Sequence, residues 1–497
     1  MLNKKTLFFT LFTILTSLLL RRYFSTTTTT PIMTQKTIAI IGGGLAGLSA
    51  ALEAHDQALQ ANNLDRTKII LLEKEKNIGG NSMKASSGIN AIEPKSNDTA
   101  ELFYQDTMAS GHGRPELVRK LVDDSPAALA WLEQAGVDLS VVSQCGGHSR
   151  ARTHRCPPGP NGAPIPVGFK LVDTLKKRAM EKIDIMTHAR VKSISSNGVY
   201  TLTVSNTNDD TTTTVQADAL ILTSGGFGGQ IHAMMEDDTT TLLKEYAPQW
   251  VDRATTNGPW ANGDGIRLGV SLGATTIDMN QVQIHPTGFV DPHDPAAMTK
   301  FLAPEALRAY GGILLNALGN RFVDELTTRD KLTEAILATQ APIWLLLSDE
   351  AAHDFGESTL AFYAKKGLVK KIEDLAGVAA DSGVDPDVVA VTLDQYDAQA
   401  KDPFGKTRFP CKMKGSPAYW LAQITPCVHY TMGGLEINTD AQIVAKDTRI
   451  PLPGLFGAGE VTGGVHGSNR LAGNSLLECV VYGRTAGRNA YSSLWKE

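Results

Sequence analysis

The stretch Thr37-Ile38-Ala39-Ile40-Ile41-Gly42-Gly43-Gly44-Leu45-Ala46-Gly47 decides the fold. Its short apolar run reads as a buried strand. The strand ends in a G-x-G-x-x-G turn, and residues 45–59 continue as a helix with small residues early on. Ile69-Ile70-Leu71-Leu72 is the next buried strand, and it ends in Glu73. In such a β-α-β unit Gly42 allows the tight turn, Gly44 lets the backbone approach a pyrophosphate, and Gly47 lets the helix close on the strand. The helix N-terminus offers N–H groups and partial positive charge to phosphates. Glu73 is placed to accept hydrogen bonds from ribose hydroxyls. The plainer alternative is a glycine-rich turn beside a surface glutamate.

Two further segments move the expected cofactor from NAD to FAD. One is Gly79-Gly80-Asn81-Ser82 followed by Ser86-Ser87-Gly88; the other is Leu455-Phe456-Gly457-Ala458-Gly459-Glu460. A strand ending in G-A-G-E hundreds of residues later implies that the nucleotide domain closes with the last section of the chain. FAD folds wrap their long cofactor in this way. Asn257-Gly258 and Gly263-Asp264-Gly265 supply another turn able to approach the flavin or its phosphates. The candidate cofactor residues are Gly42, Gly43, Gly44, Leu45, Ala46, Gly47, Glu73, Lys74, Gly80, Asn81, Ser82, Ser87, Gly88, Val191, Thr223, Gly225, Gly226, Asn257, Asp264, His429, Gly459, Glu460, Arg470, Asn474, Ser475 and Leu476.

At 497 residues the chain exceeds the ~250–300 residues at which one hydrophobic core stops growing. Two domains are therefore expected. Apolar content of 42% and charged content of 20% are ordinary for a globular protein. A net charge of −5 gives no support to nucleic-acid binding, which wants a basic face. The five cysteines (145, 156, 411, 427 and 479) form no C-x-x-C, so thiol-redox, zinc-ribbon and attached c-type haem readings fail together. No metal site is expected, and buried free thiols are. Threonine runs at 211–214 and 239–241, each after paired aspartates, read as loops without chemistry. Residues 191–219 read as a small meander feeding a strand at 219–223, and residues 331–420 as mostly helical.

Residues 1–35 stand apart. Lys4 and Lys5 precede an apolar stretch at 6–20, then come Arg21, Arg22 and a threonine run, and no acid occurs before Glu53. Fifteen apolar residues are short for a bilayer span, which needs ~20. A basic, Ser/Thr-rich, acid-free start predicts a mitochondrial presequence, with a secretory signal or anchor to the endoplasmic reticulum as the alternative. Any membrane association is expected through this segment alone.

Downstream lies a set of cationic side chains in turn-like or glycine-bearing frames: His285, Arg308, Arg329, His429 and Arg470. A bound dinucleotide plus several positive donors suggests redox chemistry on a small anion. The frames are His285-Pro286-Thr287, Glu305-x-x-Arg308, Thr328-Arg329-Asp330, His429-Tyr430-Thr431-Met432-Gly433-Gly434 and His466-Gly467-Ser468-Asn469-Arg470. In this order they resemble the flavoprotein subunit of the fumarate reductase and succinate dehydrogenase superfamily, above all its soluble yeast-type fumarate reductases. The resemblance runs from about residue 36 to the C-terminus. Gly146-Gly147-His148-Ser149 with Arg152-Thr153-His154-Arg155 adds a signature of the soluble branch.

The resemblance implies an α/β fold: a Rossmann-like FAD-binding domain in two pieces, 36–280 and 431–497, with an inserted α+β capping domain at 281–430. It implies reduction of fumarate to succinate, with hydride passing from N5 of reduced FAD and Arg329 donating the proton. Arg329 would be resupplied through Glu305 and Arg308. His429 and Arg470 would hold one substrate carboxylate and His285 would help hold the other, with Thr287 and Gly434 beside them. Taken singly, each has a plainer reading: a turn histidine, a surface Arg329–Asp330 pair, a Glu305–Arg308 helix pair, or side chains bonded to backbone carbonyls. Pro304 stands where some members carry a carboxylate-binding threonine. No histidine lies between His55 and His112, where membrane-complex relatives attach FAD, so FAD is expected to be non-covalent. The electron donor is expected to be diffusible, such as reduced free flavin, or a partner protein. Urocanate- and methacrylate-type reductases, aspartate oxidases and ketosteroid dehydrogenases share the frame, and a non-catalytic FAD-binding redox sensor is the rival from another class.

Overall fold

The computed structural model describes residues 35–160, 165–231, 241–398 and 401–495. The segment expected to carry the targeting signal lies outside the described residues, apart from Gln35. So does most of the second threonine run, although Thr241 itself N-caps the helix Leu242–Tyr246.

The opening unit forms as β1 (Lys36–Ile41), α1 (Leu45–Gln60) and β2 (Thr67–Leu72). Next come β3 (Asp184–Met186), the meander β4 (Ala189–Ser196), β5 (Tyr200–Asn206) and β6 (Thr212–Ala217), and then β7 (Ala219–Leu222). β1 runs parallel to both β2 and β7, and β2 parallel to β3. Parallel strands of this kind are covered on both faces, so their sequences are apolar throughout rather than alternating. The first threonine run is strand from Thr212 on and not the expected loop. Residues 212–214 lie in β6, paired with β5. β-Branched side chains suit the exposed face of a strand as well as a loop.

The inserted region opens on β8 (Val282–Phe289), followed by the short helix α2 (Glu305–Ala309), β9 (Ile313–Leu315), α3 (Arg329–Ala338), β10 (Ile343–Ser348), β11 (Lys370–Ile372) and β12 (Tyr419–Thr431). Its sheet has the order β8-β12-β10-β9, with β11 also on β12, and all pairs are antiparallel. A separate apolar cluster, from Phe289 to Ile424, fills this region. The near ends of β8 and β12, at Ile284 and Val428, bury into the larger cluster instead. One strand pair thus ties the two cores together beside the site.

The chain then returns as β13 (Gln442–Val444), β14 (Pro451–Gly457) and α4 (Asn474–Leu494). β14 runs parallel to β7, giving the order β13-β14-β7-β1-β2-β3. α4 packs on α1 with almost no side-chain spacer. A Cβ at Gly483 or Gly487 would collide with the carbonyl oxygens of Ala46 or Ala50. This close crossing seats the start of α1 at the carboxyl ends of the parallel strands, where such sheets bind ligands. Among the described residues no helix is long and apolar enough to cross a membrane, and no group of three or more His, Cys, Asp or Glu side chains is placed to hold a metal ion. All five cysteines are free.

Candidate active site

A cavity of 540 Å³ runs from the β1–α1 turn to the inserted region. At its nucleotide end Gly42 has φ +112, a conformation glycine adopts freely. A Cβ at Gly44 would meet only Ser82 Oγ, at 3.6 Å, and one at Gly225 would meet nothing within 4 Å. Both glycines therefore present bare backbone to open space, as a pyrophosphate cradle needs. No side chain of the N-cap residue closes α1. Glu73 lines the cavity, and its Oε2 accepts from Gly43 N at 2.8 Å. Burial pushes the Glu73 carboxyl above its ordinary range, while the Glu75 and Gly43 N–H groups pull it down. Asp264 bonds Lys74 at 2.9 Å and Arg190 at 3.1 Å. Burial opposes the Asp264 charge, but these cations outweigh it and hold the carboxyl low.

Of the other expected cofactor residues, Gly43, Leu45, Ala46, Lys74, Gly80, Asn81, Ser82, Ser87, Gly88, Val191, Thr223, Asn257, Gly459, Glu460, Ser475 and Leu476 border the cavity, as do His429 and Arg470. Gly47, Gly226 and Asn474 stand behind the wall. A Cβ at Gly47 would strike the Gly42 carbonyl oxygen, and one at Gly226 would strike Thr431 Oγ1. Asn474 Oδ1 accepts from Asn90 Nδ2 at 2.7 Å. Glycine cradle, buried acid and length of cavity together fit FAD.

The opposite end gathers the cationic set. Arg329 and Arg470 line the cavity. Arg329 Nε donates to Glu305 Oε2 at 3.0 Å, and Arg308 Nη2 lies 3.9 Å from the same oxygen. Glu305 Oε1 accepts from Gly146 N at 2.8 Å. Burial works against the Glu305 charge, yet Arg329 and Arg308 prevail and keep the carboxyl below its ordinary range. Burial lowers the Arg308 guanidinium. Arg470 stacks on Tyr430, 4.5 Å from the ring centroid. Burial first, and then Arg329, push the Arg470 guanidinium down to about 10. The His285 and His429 rings meet edge-on at 5.1 Å. His429 Nδ1 pairs with Thr256 Oγ1 at 2.7 Å, and His285 Nδ1 lies 3.1 Å from Thr287 O. Thr287 Oγ1 donates to Ala303 O, and Gly434 packs against the Val461 carbonyl. His285, Thr287, Glu305, Arg308 and Gly434 thus support the wall from outside the cavity lining.

Arg470 lies in an irregular stretch with a turn at residues 467–468, but the other four cations do not sit in turns. His285 and His429 lie on β8 and β12, Arg308 on α2, and Arg329 opens α3. The strand continues through Pro286, which has no N–H to give, only by a register shift between His285 and Gly288. Arg329 pairs with Glu305 and not with its neighbour Asp330. Sequence reading passed over Lys84, Trp260, Phe301, Phe362 and Tyr363, all bordering the cavity, and Gln283, which bridges Arg329 and Arg470. Gln283 precedes His285 by two residues on one strand, so period two was an available signal.

A family model for the FAD binding domain matches residues 37–476. The chain is 40% identical over 484 residues to Fumarate reductase 1 of Saccharomyces cerevisiae, covering 91% of this chain and 98% of that one. It is 38% identical over 476 residues to the fumarate reductase of Schizosaccharomyces pombe, covering 92% and 89%. The chain belongs to the fumarate reductase family of FAD-binding flavoproteins. The open conformation of a flavocytochrome c3 fumarate reductase superposes with a TM-score of 0.72 at 31% identity, covering 93% of this chain and 79% of that one. A 3-ketosteroid-delta4-(5alpha)-dehydrogenase from Rhodococcus jostii RHA1, 20% identical with a TM-score of 0.65, shares the fold alone.

His285 is fully buried and His429 partly buried in this family member. Burial, then the cations (Arg329 for each, Arg470 beside His429), hold their pKa values well below the imidazole norm. Burial and Arg152 push His148 down to about 4. The unfolded chain takes up these protons near pH 6.5 and the folded chain does not, so stability falls with pH below that point. At pH 5.5 each of the three costs about 1.4 kcal/mol. Denaturant unfolding of substrate-free protein at pH 7.5 and 5.5 is expected to show the loss, and His429→Gln to remove one share. Glu460, which burial pushes up to about 7, adds stability as pH falls over the same interval. The deciding quantity is therefore the change that His429→Gln makes in the pH dependence, and no change there contradicts a neutral His429.

Proposed function

We propose that this chain reduces fumarate to succinate. Arg470 carries the reading. It is 3% exposed, has an unpartnered Nε, and forms no ion pair among the described residues, Glu460 and Glu478 acting on it only through space. A buried cation left this way is costly unless an anion joins it. His285 Nε2 is buried without a partner too. Kinship at 38–40% identity with two fumarate reductases supports a small dicarboxylate as that anion.

Bound FAD, when reduced, supplies hydride for a carbon–carbon double bond. The chain's own groups do the rest. Arg470 and His429 hold one carboxylate by charge-assisted bonds. His285, with its unpartnered Nε2, helps hold the other carboxylate. Arg329 then protonates the carbon beside a carboxylate. Arginine is a poor acid in water, but a carbanionic carbon is a strong enough base to take its proton. The guanidinium also stabilises the charge it quenches. Glu305, held ionised between Arg329 and Arg308, returns a proton from Arg308 to Arg329. Lys300, Phe301, Leu302, Phe362 and Tyr363 of the inserted region roof the cavity, and excluding water strengthens each of these interactions.

The absence of histidine between positions 55 and 112 supports non-covalent FAD. A diffusible reductant such as reduced free flavin, or a partner protein, would reload it. The basic, acid-free N-terminus supports a mitochondrial address, with the endoplasmic reticulum as alternative. The function is tested by reducing the bound flavin anaerobically and adding fumarate. Rapid reoxidation with one succinate formed per flavin is expected. A flavin that stays reduced rejects fumarate as the oxidant.

A further inference from the structure

We infer that Gln283 is a positioning residue that fixes the proton donor Arg329 and the carboxylate anchor Arg470 at their working separation, as part of a ring of hydrogen bonds through Asn469 and Asp330 that the Arg329–Asp330 peptide link closes. The inference rests on the roles proposed above for the two arginines.

Two guanidiniums buried side by side repel in a low-dielectric interior. Something neutral must hold them together without cancelling the charge that a dianion needs. Gln283 is 4% exposed. Its Oε1 accepts from Arg329 Nη1 at 3.0 Å and from Arg470 Nη2 at 3.2 Å. One oxygen atom thus sets the spacing of both forks. Its Nε2 donates to Asn469 Oδ1 at 2.6 Å and to the Arg470 carbonyl at 2.8 Å. The amide orientation is dictated by its partners, because guanidinium has nothing to accept with and a carbonyl has nothing to donate. All four bonding positions of the amide are used.

The ring closes through the partner of Gln283. Asn469 Nδ2 donates to Asp330 Oδ1 at 3.2 Å, and Asp330 follows Arg329 at the start of α3. Arg329, Gln283, Asn469 and Asp330 therefore form a circuit across three chain segments: β8, the first turn of α3, and the stretch holding Arg470. The circuit joins the inserted region to the returning segment at the cavity edge. A glutamate at position 283 would turn both arginines into its own ion pairs. An apolar residue would leave their N–H groups unsatisfied, which is costly in a buried site. Only a neutral acceptor that also donates serves the whole ring.

The test compares Gln283→Met, Asn469→Ala and the double variant in the FAD-loaded protein. Two quantities are read: kcat for fumarate reduction, and the succinate Kd of the oxidised protein by isothermal titration. Displacing a reacting group by an ångström costs about 100-fold, so Gln283→Met is expected to lower kcat by about that factor and raise Kd about tenfold. Asn469→Ala is expected to move both in the same direction by less. The double variant is expected to match Gln283→Met alone, because Asn469 acts through Gln283. Independent, multiplying losses in the double variant overturn the ring. If Gln283→Met keeps kcat and Kd within about threefold of the parent while Arg329→Lys is dead, this inference falls and the functional reading stands. Full activity in Arg329→Lys removes that reading instead. Should Gln283→Met fail to retain FAD, Asn469→Ala decides alone, and unchanged kcat and Kd there overturn the proposal.

Discussion

Arg329→Lys is expected to keep its FAD and lose about 10³-fold or more of fumarate reduction, the scale of a general acid that also stabilises developing charge. Two of the three guanidinium nitrogens are committed, Nε to Glu305 and Nη1 to Gln283, both at 3.0 Å. The planar fork allows those bonds while Nη2 remains for the substrate. Lysine offers one nitrogen on a flexible stem and cannot reproduce a fork. It would settle on the Glu305 carboxylate and leave the cavity edge. Flavin absorbance relative to protein reports retention, and anaerobic turnover with fumarate reports the loss. Turnover within tenfold of the parent would sink the assignment of Arg329 as donor.

Gly47→Val is expected to abolish FAD binding and with it all activity. Gly47 never touches the cavity. It lies where α1 crosses the end of β1, and a Cβ there would collide with the Gly42 carbonyl oxygen and sit 2.9 Å from Thr223 Oγ1. Thr223 Oγ1 itself donates to the Ile41 and Gly42 carbonyls. The added side chain would push α1 off the strand and open the turn whose backbone cradles the pyrophosphate. The effect reaches the cofactor through packing, so no amount of added FAD should restore it. A yellow protein with stoichiometric flavin after purification would contradict this account.

Legibility in the sequence followed the range of the forces involved. The β1–α1–β2 unit was readable because strand, turn and helix are set by neighbours: an apolar run, three glycines and a run of small residues. The return of β14 beside β7 was readable from G-A-G-E, since a strand that ends in such a turn needs a sheet to join. The first threonine run was misread as a loop, because the cross-strand pairing that makes β6 is a contact with β5 and carries no local signal. The frames around His285 and Arg329 looked turn-like because Pro286 and the Thr328-Arg329-Asp330 step interrupt local periodicity, whereas sheet pairing and a helix N-terminus absorb both interruptions.

The sequence by itself determined the cofactor class, the parallel sheet and the inventory of cations, because each depends on residue type within a short window. Only the tertiary structure decided how Glu305 would grip Arg329, which amide would separate Arg329 from Arg470, and that His285 would be stripped of water. Glu305, Gln283 and Asn469 stand 24, 46 and 140 positions from Arg329, and no periodic pattern links residues so far apart. What brings them together is the burial of two apolar cores on a shared strand pair, and what gives them their chemistry is the low dielectric that burial creates.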